Sequence, residues 1–187
     1  MPKQFTVSDY YPDAKQPRHA FLKRYSHPFL VVVGWKDEND DEMDAPSYNT
    51  QLNIPNMAAL AALAEGKILP SSAVVFPLVK RGSITPGASP SAGVIMAGRA
   101  ENNDVVIHSS RVSKSHFHIA PKPFREDEYT LSDNGSTNGT RINDVQVHAS
   151  DRIPLKSGDK ISVGGEVWLR FYLSSDFWEI LQRSFNN

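Results

Sequence analysis

The chain has 187 residues, 40% of them hydrophobic and 22% charged, which fits one folded domain with an extension and excludes a disordered or fibrous protein. Its formal net charge of −1 creates no overall field that would attract nucleic acid or an anionic membrane, so neither is an expected partner. Because the sequence contains no cysteine, disulfides and thiolate-bound metals are excluded.

The start of the chain and its hydropathy bear on location. No apolar run near the first residue is followed by a small-residue cleavage site, so we predict no signal peptide. The longest apolar run, residues 28–34, is far shorter than the roughly 20 residues that a membrane span requires. We therefore expect a cytoplasmic protein with no membrane partner.

Residues 1–70 form a predicted N-terminal extension of short helices and one strand, packed on the rest of the chain. Residues 1–14 are polar and predict an irregular lead-in. Residues 17–26 predict a short helix because a proline opens the first turn, and the β-branched run Phe29–Trp35 predicts a buried strand. Alanine and leucine dominate residues 55–65, which predict a second helix.

An acidic run at residues 37–44 raises the question of a metal. Asp37, Asn39 and Asp41 have the alternate spacing of a calcium-binding loop. Glu42, however, stands where that loop requires glycine, so a solvated loop is the better interpretation. The six histidines include no helical pair spaced for metal, and we predict neither a metal nor a cofactor.

From residue 71 onward, short β-prone runs alternate with clusters of glycine, asparagine, aspartate, serine and proline. This spacing predicts an antiparallel β-sandwich over residues 71–174. Residues 175–187 predict a C-terminal helix, in which Asp176 and Glu179 have the spacing of a capping box. The predicted strands are residues 73–79, 93–96, 104–107, 116–120, 128–131, 140–142, 145–148, 160–163 and 166–173.

Three polar clusters lie between these predicted strands. They are Gly98-Arg99, residues 111–116 and residues 134–140. Each cluster has the composition of a loop and supplies small polar or cationic hydrogen-bond donors. We expect the three loops to meet over one anion.

Five sequence blocks, in order, resemble the pattern of the forkhead-associated (FHA) domain. The resemblance covers about residues 72–173 and implies an all-β fold, an FHA-type antiparallel β-sandwich of eleven strands with an N-terminal α/β extension and a short C-terminal helix. We expect the protein to be bacterial. The blocks are Gly98-Arg99, Asp104-Val105-Val106, Ser113-Lys114-Ser115-His116, the run from Asp133 to Thr140 and the run from Leu155 to Gly164.

The resemblance also implies a function. FHA domains bind phosphothreonine peptides through the loops at one end of the sandwich. We therefore expect a binding module without catalytic activity, acting as an adaptor or regulator in Ser/Thr kinase signalling. The expected partners are a phosphothreonine-containing protein or peptide and a Ser/Thr kinase or its substrate.

Six residues are implied to contact the phosphopeptide. Arg99, Ser113 and Thr137 correspond to the phosphate-binding residues, and the guanidinium fork of arginine matches phosphate geometry. Asn138 and Lys114 correspond to residues at the peptide backbone or the edge of the phosphate. Arg111 corresponds to a residue that reads the third side chain after the phosphothreonine, where it would favour an acidic residue. The residues expected to support the loops are Gly98, His116, Gly135, Ser136 and Gly139.

Two other functions remain open from the sequence. The fold could serve as a phospho-independent assembly component, for example of a bacterial secretion or motility complex, with residues 1–70 making the contact. Alternatively, Ser113, His116 and Asp133 include the residue types of a nucleophilic triad, which is defined by geometry rather than by sequence. The FHA resemblance makes His116 structural instead.

Overall fold

Two predicted segments lie outside the residues that the structure describes. They are the acidic run at 37–44 and nearly all of the helix at 55–65. The computed structural model describes residues 4–35, 65–81, 93–125 and 127–185.

Twelve strands in the described residues form two sheets, which confirms the predicted β-sandwich. The larger sheet has the order β1-β3-β2-β12-β11-β8-β9, and the smaller has the order β10-β7-β6-β4-β5. Neighbouring strands are antiparallel except for β4 and β5, which are parallel. The strands are β1 (Phe5–Thr6), β2 (Phe29–Trp35), β3 (Val74–Pro77), β4 (Ile95–Gly98), β5 (Val105–Val106), β6 (Phe117–Pro121), β7 (Tyr129–Asp133), β8 (Thr140–Ile142), β9 (Val145–Val147), β10 (Ile153–Leu155), β11 (Lys160–Val163) and β12 (Val167–Tyr172).

Within the described ranges, three α-helices accompany the sheets: α1 (Tyr11–Ala14), α2 (Arg18–Arg24) and α3 (Ser174–Phe185). A 3-10 helix, Val7–Tyr10, precedes α1. The predicted helices at 17–26 and at the C-terminus therefore form. Among the described residues, no helix has both the length and the apolar character that crossing a bilayer requires.

The prediction of an irregular lead-in was wrong, because residues 5–14 form β1, the 3-10 helix and α1. The reason is tertiary packing. The buried ring of Tyr10 lies edge-on to Tyr25, Phe29 and Phe177, with ring centroids 5.3, 5.5 and 5.3 Å away. These partners are distant in sequence, so local composition does not reveal them.

The core of the sandwich lies between the two sheets. Side chains alternate along a strand, so Leu30 of β2 enters this core while its neighbours Phe29 and Val31 face the other side. Leu169 and Phe171 of β12 enter the core from the next strand. The smaller sheet contributes residues such as Ile119, Leu131 and Phe117.

A second cluster covers the outer face of the larger sheet, and we call it the aromatic layer. Because it buries the other face of β2, that strand is apolar along most of its length rather than alternating. Helix α3 presents Phe177, Ile180 and Leu181 at the spacing of one helix face. The buried members of the layer are Val7, Tyr10, Ala14, Phe21, Phe29, Val31, Leu69, Ala73, Val75, Tyr172, Phe177, Ile180 and Leu181.

Strand β2 lies between β3 and β12 in the larger sheet. Phe29 is opposite Pro77 on one side and Tyr172 on the other, and Leu30 is opposite Phe76 and Phe171. The division of the chain at residue 70 remains a prediction. One part of the predicted extension is nevertheless an interior strand of the sheet.

Candidate functional site

Three loops meet at one end of the smaller sheet, and we call them the loop cluster. They are residues 99–104, 107–116 and 134–139. The antiparallel register aligns Ala97 of β4 with Phe117 of β6, and Phe117 with Asp133 of β7. The end of β4, the start of β6 and the end of β7 therefore share one edge, which brings the three predicted clusters together.

Gly98 allows the first two loops to touch. A Cβ atom there would lie 2.8 Å from the Ser113 carbonyl oxygen and even closer to that of Lys114, so no other residue fits without a shift. The close approach lets the Arg99 N–H donate to the Ser113 oxygen at 3.0 Å. Asn103, which is buried, donates its side-chain amide to the Lys114 oxygen at 2.7 Å and so holds the same two loops.

His116 joins the second loop to the third. The Ser113 N–H donates to His116 Nδ1 at 2.9 Å, so the proton of the neutral ring is on Nε2, which donates to the Gly139 oxygen at 3.1 Å. The side chain is fully buried. Burial lowers the pKa of His116 below its ordinary value, which keeps the ring neutral and this pair of bonds intact.

Asp133 shapes the turn of the third loop. It accepts hydrogen bonds from the Ser136 N–H and hydroxyl, each at 2.7 Å, and from the Thr140 hydroxyl at 2.6 Å. Burial alone would raise the pKa of Asp133, but the bonds from Thr140 and Ser136 together outweigh it and hold the pKa below its usual value. Gly135 and Gly139 have φ of +74° and +77°, the left-handed conformations that this turn requires.

The second and third loops also contact each other through polar side chains. The Thr137 N–H donates to Ser113 Oγ at 3.1 Å, and that hydroxyl lies 3.4 Å from Thr137 Oγ1. Asn138 donates its side-chain amide to the Arg111 carbonyl oxygen at 2.8 Å. The structure thus brings both predicted hydroxyl donors into direct contact.

The three predicted cations differ in their surroundings. Arg99 and Lys114 are exposed, and neither side chain has a hydrogen-bond or ion-pair partner among the described residues. Arg111 is engaged: its Nε donates to the Gly164 oxygen at 3.3 Å and lies 3.6 Å from Glu166 Oε1. Two of the three cations are therefore available to an anion.

The geometry does not form a nucleophilic triad. Both ring nitrogens of His116 bond to backbone groups, so neither meets the Ser113 hydroxyl. Asp133 is occupied by Ser136 and Thr140 rather than by the histidine ring. A triad requires the base to bond the nucleophile on one side and the carboxylate on the other.

Sequence reasoning missed two residues of this region. Asn103 lies in a turn-like Asn-Asn pair, which indicates a turn but not the bond to Lys114. Glu166 follows two glycines at the start of a predicted strand, and nothing in the sequence points to its contact with Arg111, 55 residues earlier along the chain. Both depend on the folded arrangement of separate loops.

The part of the chain that contains the loop cluster is similar to known proteins. The family model of the FHA domain matches residues 95–164. An ABC transporter ATP-binding/permease protein of Mycobacterium tuberculosis is 32% identical over 87 residues, which are 46% of this chain; the chain spans only 9% of that protein's length.

Solved structures of FHA domains are also similar. The N-terminal FHA domain of Saccharomyces cerevisiae Rad53p, solved in complex with a phosphothreonine peptide, is 30% identical over 46% of this chain and 73% of its own, with a TM-score of 0.39. The MEK1 FHA domain is 17% identical over 83% of this chain and 97% of its own, with a TM-score of 0.46.

The sandwich and its loop cluster define a binding module for a polar ligand. Its hydroxyl groups, backbone amides and two available cations are donors suited to an anion. The motifs and the family match identify the module: residues 95–164 of the chain match the FHA domain.

Proposed function

We propose that the chain is a phosphothreonine-dependent peptide- or protein-binding module that acts as an adaptor or regulator in Ser/Thr kinase signalling. The observation that carries the proposal is the contact between Ser113 and Thr137 beside Arg99 and Lys114, two exposed cations with no side-chain partner in the part of the chain that the structure describes. A phosphothreonine dianion is bound best by charge-assisted hydrogen bonds from cations together with neutral donors. The loop cluster offers both kinds within one surface.

Each residue has a role in this proposal. Arg99 binds the phosphate through its guanidinium fork, which lysine could not reproduce, and Lys114 adds a positive point charge. Ser113 and Thr137 donate their hydroxyls, replacing their long 3.4 Å mutual contact with bonds to phosphate oxygens. Asn138 orients the peptide backbone.

The supporting residues keep the loops in place before the ligand arrives. His116, Gly98 and Asp133 hold the loops through bonds that need no ligand. A preorganised site avoids the entropy loss of ordering loops on binding, which would otherwise weaken affinity. We therefore expect binding without rearrangement of the loop backbone.

The proposed partner is a protein phosphorylated on threonine by a Ser/Thr kinase, or the kinase itself, in the cytoplasm of a bacterium. The similar Rad53p domain was solved with a phosphothreonine peptide. With a formal net charge of −1, the chain attracts anions through the loop cluster rather than through its overall field. The proposal assigns no catalytic step and no nucleic-acid ligand to the module.

The test is an oriented phosphothreonine-peptide library, followed by fluorescence anisotropy with the selected peptide. Arg99→Ala should weaken binding by about 30-fold or more, since hydrogen bonds to charged groups each contribute about 1.5–3 kcal/mol. Arg18→Ala is the matched control, because Arg18 is exposed in α2, on the far side of the larger sheet. The phosphoserine version of the peptide should bind more weakly than the phosphothreonine version, and the unphosphorylated version should bind more weakly still. Equal binding by the wild type and Arg99→Ala would contradict the proposal.

A further inference from the structure

Arg111 is held against the turn that joins β11 to β12. Its Nε donates to the Gly164 carbonyl oxygen at 3.3 Å and lies 3.6 Å from Glu166 Oε1. The other carboxylate oxygen of Glu166 accepts a hydrogen bond of 2.7 Å from the Ser109 hydroxyl, and Ser109 Oγ also accepts the Arg111 N–H at 3.1 Å. Arginine, serine and glutamate thus form one closed set of contacts.

The two charges of this set differ in exposure. The Glu166 side chain is only 11% exposed, whereas that of Arg111 is 54% exposed. A carboxylate withdrawn from water is strongly disfavoured unless a cation and hydrogen-bond donors compensate it. Glu166 therefore depends on Arg111 more than Arg111, with its larger access to water, depends on Glu166.

The backbone fits the same contact. Gly164 has φ of +65°, and a Cβ atom there would lie 2.7 Å from the Arg111 carbonyl oxygen. That oxygen also accepts the Asn138 amide at 2.8 Å. Arg111 is thus the residue at which the second loop meets both the third loop and the β11–β12 turn.

We propose that Glu166 is a specificity-determining counter-charge that holds Arg111 in an internal ion pair. Arg111 then positions the loops and is not one of the cations that attract the ligand. The inference rests on the function proposed above. It assigns the attraction of the phosphate to Arg99 and Lys114. It also predicts that the module does not select acidic residues after the phosphothreonine, in place of the acidic preference that the FHA resemblance suggests for Arg111.

An exchange of partners explains the expected lack of selection. A peptide carboxylate that drew Arg111 away from Glu166 would replace one ion pair by another. It would also leave the Glu166 carboxylate buried with the Ser109 hydroxyl as its one side-chain partner among the described residues, which is unfavourable. The net gain from an acidic side chain is therefore close to zero while Glu166 is charged.

The experiment uses the selected phosphothreonine peptide with alanine or aspartate at each of the four positions that follow the phosphothreonine. For the wild type, the ratio of dissociation constants for alanine and aspartate should stay within about twofold at every position. Glu166→Gln keeps the shape and an acceptor for Ser109 but removes the charge. It should create an aspartate preference of about 3- to 10-fold at one position, which salt then weakens. Adding Arg111→Ala to Glu166→Gln should abolish that preference.

The matched control is Glu179→Gln, which removes a carboxylate from a surface ion pair with Arg183 on α3 and should leave every ratio unchanged. An aspartate preference of fivefold or more in the wild type that disappears in Arg111→Ala would overturn the inference. So would a Glu166→Gln protein with unchanged ratios.

A readout without peptide separates this inference from the proposed function. Arg111→Ala and Glu166→Gln should each change the equilibrium constant of unfolding by some factor. The factor for the double variant should differ from the product of the two single factors by about threefold or more. Multiplicative effects would show that the two side chains are not partners and would overturn the inference. If the wild type bound no phosphopeptide, the proposed function would fail and the specificity claim with it, while the unfolding data would still decide the pairing.

Discussion

In the loop cluster, directional hydrogen bonds join loops that carry few apolar side chains, whereas in the aromatic layer ring packing joins helices to the outer face of a sheet. His116 illustrates the first case, because each ring nitrogen meets one particular backbone atom. Tyr10 illustrates the second, because three rings surround it at 5.3 to 5.5 Å. The loops are thus held by hydrogen bonds between particular atoms, and the layer is held by close packing of aromatic rings.

The two regions also differ in how much of the chain they connect. The loop cluster draws on residues between 98 and 139, with Glu166 as its most distant contact. The aromatic layer joins residues near the start of the chain to α3 near its end: Gln182 donates its amide to the Ala14 oxygen, and Ser174 donates its hydroxyl to the Tyr25 oxygen. The layer therefore connects the N-terminal and C-terminal parts of the fold, and the loop cluster depends on the rigidity that results.

The largest expected effect comes from deleting residues 1–70. This deletion removes β2 from between β3 and β12, and it also removes the N-terminal half of the aromatic layer. Residues 71–187 alone should show no cooperative thermal transition by circular dichroism. The cause is that β3 and β12 both lose the strand to which they are hydrogen-bonded, which exposes their edges to water.

Supplying residues 1–70 as a separate polypeptide should restore part of the transition. A fragment 71–187 that unfolds cooperatively and binds phosphopeptide like the full chain would contradict this prediction. The same result would revive the idea that the N-terminal residues are a detachable assembly surface. If the prediction holds, that idea must be tested by surface substitutions rather than by truncation.

Phe177→Ala should have the next largest effect. Phe177 is fully buried and its ring centroid lies 4.2 Å from that of Phe29, so truncation leaves a cavity in the aromatic layer. The free energy of unfolding, measured in urea, should fall by about 3–5 kcal/mol. Phe124→Ala is the control: that side chain is fully exposed, and its loss should change the value by less than about 0.5 kcal/mol.

Phosphopeptide affinity sharpens the same comparison. Because Phe177 belongs to the aromatic layer, the folded fraction of Phe177→Ala should bind as the wild type does. Weaker binding by the folded fraction would mean that the two regions are coupled through the sheet.

The sequence predicted the parts that depend on local patterns. The unbroken apolar run of β2 indicates a strand buried on both faces, and its predicted bounds are those observed. The order of the Gly-Arg, Ser-x-x-His and Asn-Gly-Thr clusters predicted three loops at one site. The antiparallel register of β4, β6 and β7 then accounts for their meeting.

Other parts depend on contacts that no local pattern encodes. Strand β10 was not predicted because Pro154 interrupts a run of three residues, yet an edge strand tolerates proline. The helical lead-in depends on Tyr10 packing against Phe177, which is 167 residues later along the chain. The engagement of Arg111 by Glu166 likewise appears only when the β11–β12 turn is placed beside the second loop.

The smallest expected effect concerns pH and two histidines, one in each region. Burial lowers the pKa of His116 in the loop cluster and of His27, whose ring packs against Tyr25 and Phe29 of the aromatic layer. In the unfolded chain both rings titrate near pH 6.5. Above that pH both states are neutral and neither histidine affects stability. Below it the unfolded state binds protons that the folded state resists, so the free energy of unfolding falls until the lowered folded pKa is reached.

His116→Gln and His27→Gln should each flatten this acid-side slope, to which one histidine contributes at most about 1.4 kcal/mol per pH unit. Urea unfolding between pH 7.5 and 5.0 measures the slope, and ring proton titration by NMR in the wild type measures both pKa values directly. Phosphopeptide affinity then separates the two regions. Protonated His116 cannot accept the Ser113 N–H, so the wild type and His27→Gln should lose affinity in acid beyond what the phosphate's own titration causes. An affinity profile that His27→Gln alters as much as His116→Gln does would show that the loop cluster is not the region whose protonation controls binding.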